Sequence, residues 1–189
     1  SELIKMINTS LLINDYPSAF RYPRGIGILN EEENYDKTIE IGKGYIVKEG
    51  SEVAILNLGT RLESCLEALK ILVQHNIYPT LADARFAKPL DLKLIDTLLD
   101  NHKYILSIEE GSIGGFGSSL LHYVHNVRIR PTNAITKNLI FPDRFIEHNK
   151  PEAQYKELGM DSESIAKKII NFFDKKVINL NYFTKTYKS

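Results

Sequence analysis

The sequence is poor in the residues that build disulfides and cysteine-based metal sites. It contains one cysteine, Cys65, together with two methionines and no tryptophan among 189 residues. A single cysteine excludes an internal disulfide and a cysteine-based zinc or iron–sulfur cluster. No run approaches the roughly 18 consecutive apolar residues of a membrane-spanning helix, and the start SELIKMINTS lacks the layout of a secretory signal. We therefore expect no metal cluster and no membrane partner.

The sequence also lacks an excess of either charge. Its 24 Lys and Arg residues balance 24 Asp and Glu residues. Nucleic-acid and membrane-surface binding require a broad basic surface, so we expect neither partner, and any anion site must be local. Hydrophobic residues make up 43% of the chain, which is ordinary for a globular protein. The length suits one full domain with some chain left over.

The first residues are predicted to form the end of a larger unit. The apolar spacing over residues 1–13 predicts a short amphipathic helix, and Ala19–Tyr22 is predicted to be a strand that Pro23 and the following glycine end. One helix and one strand cannot form a domain, so residues 1–25 are assigned to the end of another one. Residues 26–42 are polar and acidic, which predicts a linker.

Beyond the linker, strands and helices alternate. Tyr45–Val47 and Glu52–Leu58 are extended runs separated by a short turn, which predicts a hairpin whose second strand is central. Further strands are predicted at 78–82, 103–108 and 138–141, and helices at 61–76, 89–99, 114–125, 151–158 and 161–174. This alternation predicts an α/β domain over residues 43–175, with a mainly parallel sheet covered by helices on both faces. Residues 176–189 are predicted to form a loose tail.

The segment Arg21-Tyr22-Pro23-Arg24-Gly25 is the first candidate site. It sets two guanidinium groups at the end of the predicted strand. Arginine presents a planar fork of donors that matches phosphate geometry, and strand ends are where α/β folds gather ligands. The alternative is a pair of surface arginines in ordinary ion pairs, and spacing alone leaves both interpretations open.

Two loops are weaker candidates. The glycine-rich stretch 114–119 follows a strand and opens a helix, but it fits neither nucleotide-binding glycine pattern, and Glu109 and Glu110 would repel phosphate. A structural turn is the favoured interpretation. The charged loop Asp83–Asp91 is predicted to pair its charges internally or to contact another chain.

No metal ligand or nucleophile stands out among the remaining residues. His122 and His125 share a helical face without a third ligand. Ser118 and Ser119 lack a G-x-S-x-G elbow, and Cys65 lies on the apolar stripe of a helix. We therefore predict no catalytic residue in this chain.

Six segments occur in the order and spacing of one family. They are PSAFRYPRG, IGKGYIVKEGSEVAILNLGT, ADARFAKPLD, EEGSIGGFGSSL, FPDRFIEHN and ELGMDSESIA. On these segments, over about residues 5–174, the chain resembles the C-terminal third of the 1-deoxy-D-xylulose-5-phosphate synthase family. These are thiamine-diphosphate enzymes of the transketolase type, and the resemblance implies the fold of the transketolase C-terminal domain.

The resemblance implies an activity and a role for three residues. Members of the family condense pyruvate with glyceraldehyde 3-phosphate, with loss of carbon dioxide, at the start of non-mevalonate isoprenoid synthesis; the product also feeds thiamine and pyridoxal phosphate synthesis. The resemblance assigns residues 1–25 to the C-terminal end of the pyrimidine-binding domain. The arginine of RYPRG belongs to that domain and reaches the phosphate of the aldehyde substrate, a role that carries over to Arg24. Arg21 and Tyr22 are expected to position that loop.

The resemblance also implies a missing part. The sequence has no Gly-Asp-Gly segment followed by Asn residues, the family's magnesium–diphosphate signature. Thiamine diphosphate and Mg²⁺ are therefore expected to be held by the N-terminal portion of the same enzyme, with which this chain would partner, in a homodimer. We expect the chain by itself to be inactive and to bind neither. The family and the abundance of Ile and Asn suggest a plastid-type organelle, with bacterial cytoplasm as the alternative.

Two other functions stay open. The C-terminal domains of 2-oxo acid dehydrogenase β subunits and of transketolases share the fold, although RYPRG followed by IGKG, together with PDRFIEHN, argues against both. A third interpretation is a non-catalytic dimerisation or regulatory module. In that case the loops at the strand ends, 83–91 and 109–119, would mostly make dimer contacts.

Overall fold

The structure is a computed structural model that describes residues 2–23 and 36–173. Its helices are α1 (Glu2–Leu11), α2 (Leu62–Gln74), α3 (Leu92–Asn101), α4 (Phe116–His122), α5 (Pro151–Glu157) and α6 (162–173). Its strands are β1 (Tyr45–Lys48), β2 (Glu52–Leu58), β3 (Thr80–Asp83), β4 (His102–Glu109) and β5 (Ile135–Leu139). A π-helical turn at Tyr123–Val127 extends α4. No helix in the described ranges is long and apolar enough to cross a membrane.

The five strands form one sheet in the order β1-β3-β2-β4-β5. β2 runs parallel to both β3 and β4, and β4 runs parallel to β5, whereas β1 is antiparallel to β3. This arrangement confirms the predicted α/β fold with a mainly parallel sheet. β2 lies in the centre because residues 53–56 are apolar on both faces and buried.

Helices cover both faces of the sheet. Alternate residues of β2 point to opposite faces, so Val53 and Ile55 contact one layer of helices while Ala54 and Leu56 contact the other. The first layer contains α2 and α6, and the second contains α3 and α4. Each layer closes one apolar core, and the sheet separates the two.

The predicted hairpin between the first two strands is wrong. Tyr45 of β1 lies opposite Asp83 of β3, so β3 is inserted between β1 and β2. The turn connecting β1 to β2 crosses the start of β3, where the Gly50 N–H donates to the Thr80 hydroxyl at 3.0 Å. A Cβ at Gly50 would lie 2.3 Å from the carbonyl carbon of Pro79, so this crossing requires a glycine. The apolar β2 instead pairs with two parallel strands, which bury both of its edges.

The predicted strand at Ala19–Tyr22 is also wrong. Residues 17–23 are irregular and exposed, and no strand among the described residues pairs with them. A strand requires backbone partners, and apolar alternation by itself supplies none. The predicted turn at Gly25, the first part of the predicted linker (residues 26–35 of 26–42) and the predicted tail over 176–189 lie outside the described residues. Within the described part, β5 begins three residues before its predicted start.

The helix α1 is attached to the sheet domain at two points. The Ile39 N–H donates to the buried Thr9 hydroxyl at 2.8 Å, which fixes the end of the predicted linker against the helix. At the start of α1, Glu2 accepts from the Arg85 guanidinium at 2.8 Å. The first helix therefore packs beside the carboxyl end of β3.

Candidate functional site

The four parallel strands end along one side of the sheet, here called the carboxyl edge. In the sheet, β3 lies on one side of β2 and β4 lies on the other side. The chain therefore reverses its direction across the sheet after β3. Open α/β sheets bind ligands in the crevice at such a reversal, outside the carboxyl ends of the strands. In this protein the switch-point crevice lies between Leu58 of β2 and Glu109 of β4.

Side chains of the protein itself occupy the switch-point crevice. Arg61 Nε donates to Glu110 Oε1 at 2.8 Å, and the Thr60 hydroxyl donates to the same oxygen. The Arg61 guanidinium carbon lies 3.4 Å from the centroid of the Tyr155 ring. Burial, and then a hydrogen bond to Glu110, raise the pKa of Tyr155. The Arg61 and Glu110 side chains are only 14% and 23% exposed, so the guanidinium is committed to internal partners.

The glycine-rich turn holds a carboxylate of the protein. Glu109 Oε2 accepts from the Phe116 N–H at 3.0 Å, and Glu109 Oε1 accepts from the Gly117 N–H at 2.7 Å. A Cβ at Gly115 would lie 2.6 Å from Glu109 Oε2, so the glycine leaves room for the carboxylate. The negative charge of Glu109 therefore lies at the positive N-terminus of α4. These contacts agree with the interpretation of the glycine-rich stretch as a structural turn.

Two charged side chains of the loop after β3 have partners elsewhere in this chain, since Arg85 pairs with Glu2 and Asp91 lies 4.0 Å from Lys43. Asp83 accepts from the Arg85 N–H at 3.0 Å, and the Arg85 guanidinium lies 4.1 Å from the Tyr45 ring centroid. Burial raises the pKa of Asp83, the Arg85 amide opposes that shift, and Glu2 adds to it. At the other end of the loop, Asp91 caps α3 by accepting from the Leu94 N–H at 3.0 Å. A contact of this loop with another chain stays a prediction.

The side chains without a predicted role behave as structural groups. Burial raises the pKa of the Cys65 thiol to about 12, although Arg61 opposes the shift. A thiol with such a pKa carries almost no thiolate at neutral pH, so Cys65 is not a nucleophile. Among the described residues, neither His122 nor His125 belongs to a group of three or more His, Cys, Asp or Glu side chains that could hold a metal ion.

The predicted substrate-binding residues are only partly described. Arg24 lies outside the described residues, so its role as phosphate ligand stays a prediction. Arg21 and Tyr22 are exposed, and the Tyr22 ring centroid lies 6.4 Å from that of Phe20. Their predicted positioning of the loop is likewise untested.

Sequence reasoning missed the switch-point crevice. Arg61 and Glu110 each follow the end of a parallel strand, and the rule that such ends meet could have paired them. Tyr155 comes from a helix far along the chain, and no local signal places its ring beneath the guanidinium. The pairing therefore depends on how α5 packs.

The described residues do not fit a magnesium–diphosphate group. Nowhere in residues 2–23 and 36–173 do three His, Cys, Asp or Glu side chains converge to hold a metal ion. The amides at the start of α4, the place where a glycine-rich turn could hold phosphate, are already occupied by Glu109. No catalytic step through that group is therefore derived from these residues.

Comparison with known proteins agrees with this architecture. The model of the family "Transketolase, C-terminal domain" matches residues 42–165. A split-gene transketolase described as an inactive β4 tetramer is 26% identical, with a TM-score of 0.63, over 76% of this chain and 46% of that chain. A transketolase from Campylobacter jejuni is 15% identical, with a TM-score of 0.50, over 69% and 18% of the two chains, which shows the fold alone.

The chain thus spans less than half the length of these relatives. The family match extends from just before β1 into α6 and includes the whole sheet, both helical layers and the crevice. On that match, the chain belongs to the transketolase C-terminal domain family.

Proposed function

We propose that this chain is the C-terminal part of a 1-deoxy-D-xylulose-5-phosphate synthase. That enzyme condenses pyruvate and glyceraldehyde 3-phosphate with loss of carbon dioxide. The observation that carries the proposal is the set of six segments, from PSAFRYPRG to ELGMDSESIA, in the order and spacing of that family. Membership of the transketolase C-terminal domain family supports the broader assignment to thiamine-diphosphate enzymes.

In this proposal the chain supplies a substrate ligand and a scaffold. Arg24 binds the phosphate of glyceraldehyde 3-phosphate, while Arg21 and Tyr22 hold its loop. Transketolase-type enzymes generally use thiamine diphosphate and a divalent metal, and among the described residues no three His, Cys, Asp or Glu side chains converge to hold the metal. Both groups would therefore bind to the N-terminal portion of the enzyme. The sheet domain, with its crevice closed by Arg61 and Glu110, would support the assembly.

A partner polypeptide and a homodimer are part of the same proposal. The split-gene relative is described as an inactive tetramer of β chains, which supports the idea that a C-terminal portion requires a partner for activity. We propose a plastid-type organelle as the compartment, with bacterial cytoplasm as the alternative.

Transketolase activity is the second candidate. The observation that favours it is the 26% identity and TM-score of 0.63 to the split-gene transketolase. A transketolase moves a two-carbon unit from a ketose phosphate to an aldose phosphate and releases no carbon dioxide. The two candidates therefore differ in donor and in product.

The test is an assay of the chain combined with the polypeptide that carries the other domains, in the presence of thiamine diphosphate and Mg²⁺. Carboxyl-labelled pyruvate should release labelled carbon dioxide only when glyceraldehyde 3-phosphate is added, with formation of a 1-deoxy sugar phosphate. Transfer between sugar phosphates without that release would establish transketolase instead. Transfer to lipoamide would establish a 2-oxo acid dehydrogenase, and no turnover with any of these substrates would favour the non-catalytic module.

A further inference from the structure

An open groove lies on the α3 and α4 side of the sheet, away from the switch-point crevice. Its cavity volume is ≈ 660 Å³, which lies in the range of about 300 to 1,000 Å³ that small-molecule sites occupy. One wall is the loop from Ala87 to Leu92 and the other is the outer face of α4. Arg61 and Tyr155 belong to the opposite helical layer, so the groove is separate from the cluster that they form.

The α4 wall of the groove offers hydrogen-bond donors. Ser118 Oγ accepts from the Gly114 N–H at 2.9 Å, which leaves its own O–H free to donate. His122 Nδ1 lies 3.4 Å from the Asn126 amide nitrogen, which can only donate. A ring nitrogen of His122 that carries a proton can donate to a ligand in the groove. Both residues line the groove.

The charge of the groove is positive. Its lining contains the cation of Lys88 and no Asp or Glu. Within the described part of the chain, Lys88 makes no ion pair. The Tyr123 hydroxyl is committed to Asp96 at 2.9 Å, so that carboxylate is engaged outside the lining. An anion entering the groove would meet donors and a cation without a competing carboxylate.

Much of the remaining lining of the groove is apolar. Leu92 and Val127 line the groove and remain 44% and 52% exposed, although both are large hydrophobic side chains. Pro89 and Leu90 extend this apolar surface. A ligand that matches the groove therefore has an apolar body as well as an anionic group.

We propose that this groove binds a small molecule in which a phosphate or carboxylate is joined to an apolar body. The anionic group lies between Lys88, Ser118 and His122, and the apolar body lies on Leu92 and Val127. The proposal does not depend on the proposed function, because it requires neither thiamine diphosphate nor the other domains of the proposed enzyme.

Calorimetric titration of the whole chain with phenyl phosphate and with benzoate tests the proposal. At least one probe should saturate one site per chain in the millimolar range or below. Inorganic phosphate, which lacks the apolar body, and phenol, which lacks the charge, should each bind about tenfold more weakly. Comparison of phenyl phosphate with benzoate then identifies which anionic group the site prefers.

Lys88→Ala is the decisive variant, and Lys93→Ala is its matched control. Lys93 is an exposed residue of α3 outside the lining, and it carries the same charge close by. Lys88→Ala should weaken binding about fivefold or more, whereas Lys93→Ala should change it by less than about twofold. Both side chains are exposed, so far-ultraviolet circular dichroism should show both variants folded.

Three results would overturn the proposal. The first is no saturable binding of either probe, and the second is equal weakening by Lys88→Ala and Lys93→Ala, which would indicate general charge attraction. The third is a dimer in sedimentation experiments that Leu92→Ser disrupts, because the groove would then be an interface between two copies.

Discussion

Arg61 connects the carboxyl ends of two strands to a distant helix. It follows β2, donates to Glu110 after β4 and stacks on Tyr155 of α5. Arg61→Ala should lower the free energy of unfolding by about 2 kcal/mol, because Glu110 would stay largely buried without its cation. The midpoint of urea denaturation, at unchanged slope, measures this loss.

The matched control is Lys70→Ala on the surface of α2. Lys70 donates to Glu67 at 2.7 Å, but its side chain is 71% exposed. An exposed pair contributes little, so this variant should change the free energy of unfolding by less than about 0.5 kcal/mol. If Lys70→Ala lowered the free energy of unfolding as much as Arg61→Ala does, burial would not explain the contribution of the Arg61–Glu110 pair.

Asp83 is a buried carboxyl group that folding makes harder to ionise. Because burial raises its pKa above the ordinary 3.8, the folded state binds its proton more tightly than the unfolded state does. That contribution to stability is complete below the unfolded pKa and is lost as pH rises through the folded pKa. Asp83→Asn keeps an acceptor for the Arg85 amide and has no charge to bury.

The stability of Asp83→Asn relative to the unchanged protein should therefore increase as pH rises from about 4 to about 7. Thermal or urea unfolding of both proteins across that range measures the difference. If the stability of Asp83→Asn relative to the unchanged protein stayed constant, or fell toward neutral pH, the neighbours of Asp83 would be stabilising its carboxylate in the folded protein.

Arg24 is the residue on which the proposed substrate preference depends. In the assembled enzyme, Arg24→Ala should raise the KM for glyceraldehyde 3-phosphate well over about tenfold, because a charge-assisted contact to phosphate contributes about 1.5 to 3 kcal/mol. The KM for pyruvate should change much less, and Lys70→Ala serves as the neutral comparison. An equal loss for both substrates would argue against a phosphate-binding role.

The helix α4 depends on a carboxylate from the preceding strand. Glu109 accepts hydrogen bonds from two backbone N–H groups at the start of this seven-residue helix. The N-cap residue, Gly115, has no side chain that could accept from them. Glu109→Ala should lower the free energy of unfolding by about 1 to 3 kcal/mol and loosen α4. Urea unfolding measures the energy, and amide exchange at Phe116 and Gly117 measures the local opening.

Glu152→Ala is the control for that experiment. Glu152 lies in the first turn of α5 and is exposed. Glu152 stabilises α5 only through a charge that the solvent screens. Glu152→Ala should therefore lower the free energy of unfolding by less than about 1 kcal/mol. If Glu109→Ala cost no more than this control, the buried contacts to α4 would not be the main interaction that holds the turn.

At the level of the complete chain, we expect no cofactor binding and no turnover by the 189-residue polypeptide alone. Its sequence lacks the magnesium–diphosphate signature of the synthase family that it resembles, and among its described residues no three His, Cys, Asp or Glu side chains converge to hold a metal ion. Calorimetric titration with thiamine diphosphate and Mg²⁺ should show no saturable heat, with the assembled enzyme as the positive control. Turnover of pyruvate and glyceraldehyde 3-phosphate by the isolated chain would refute this expectation.

The order of helices and strands could be read from the sequence because it depends on local periodicity. α2 and β2 have strong apolar patterns, and both lie within about two residues of their predicted positions. The helix predicted over 89–99 corresponds to α3, which Asp91 caps. In contrast, strand pairing was misjudged at β1, since alternation shows that a segment is extended and does not show which strand lies beside it.

The amino-acid sequence thus determined the α/β class, the family resemblance and the burial of Cys65, because each depends on residue type and spacing along the chain. The tertiary structure alone decided that β3 separates β1 from β2, that Glu109 occupies the start of α4, and that Arg61, Glu110 and Tyr155 close the crevice. These contacts join residues that are distant in sequence. Their partners are chosen by the packing of helices on the sheet, which local patterns do not encode.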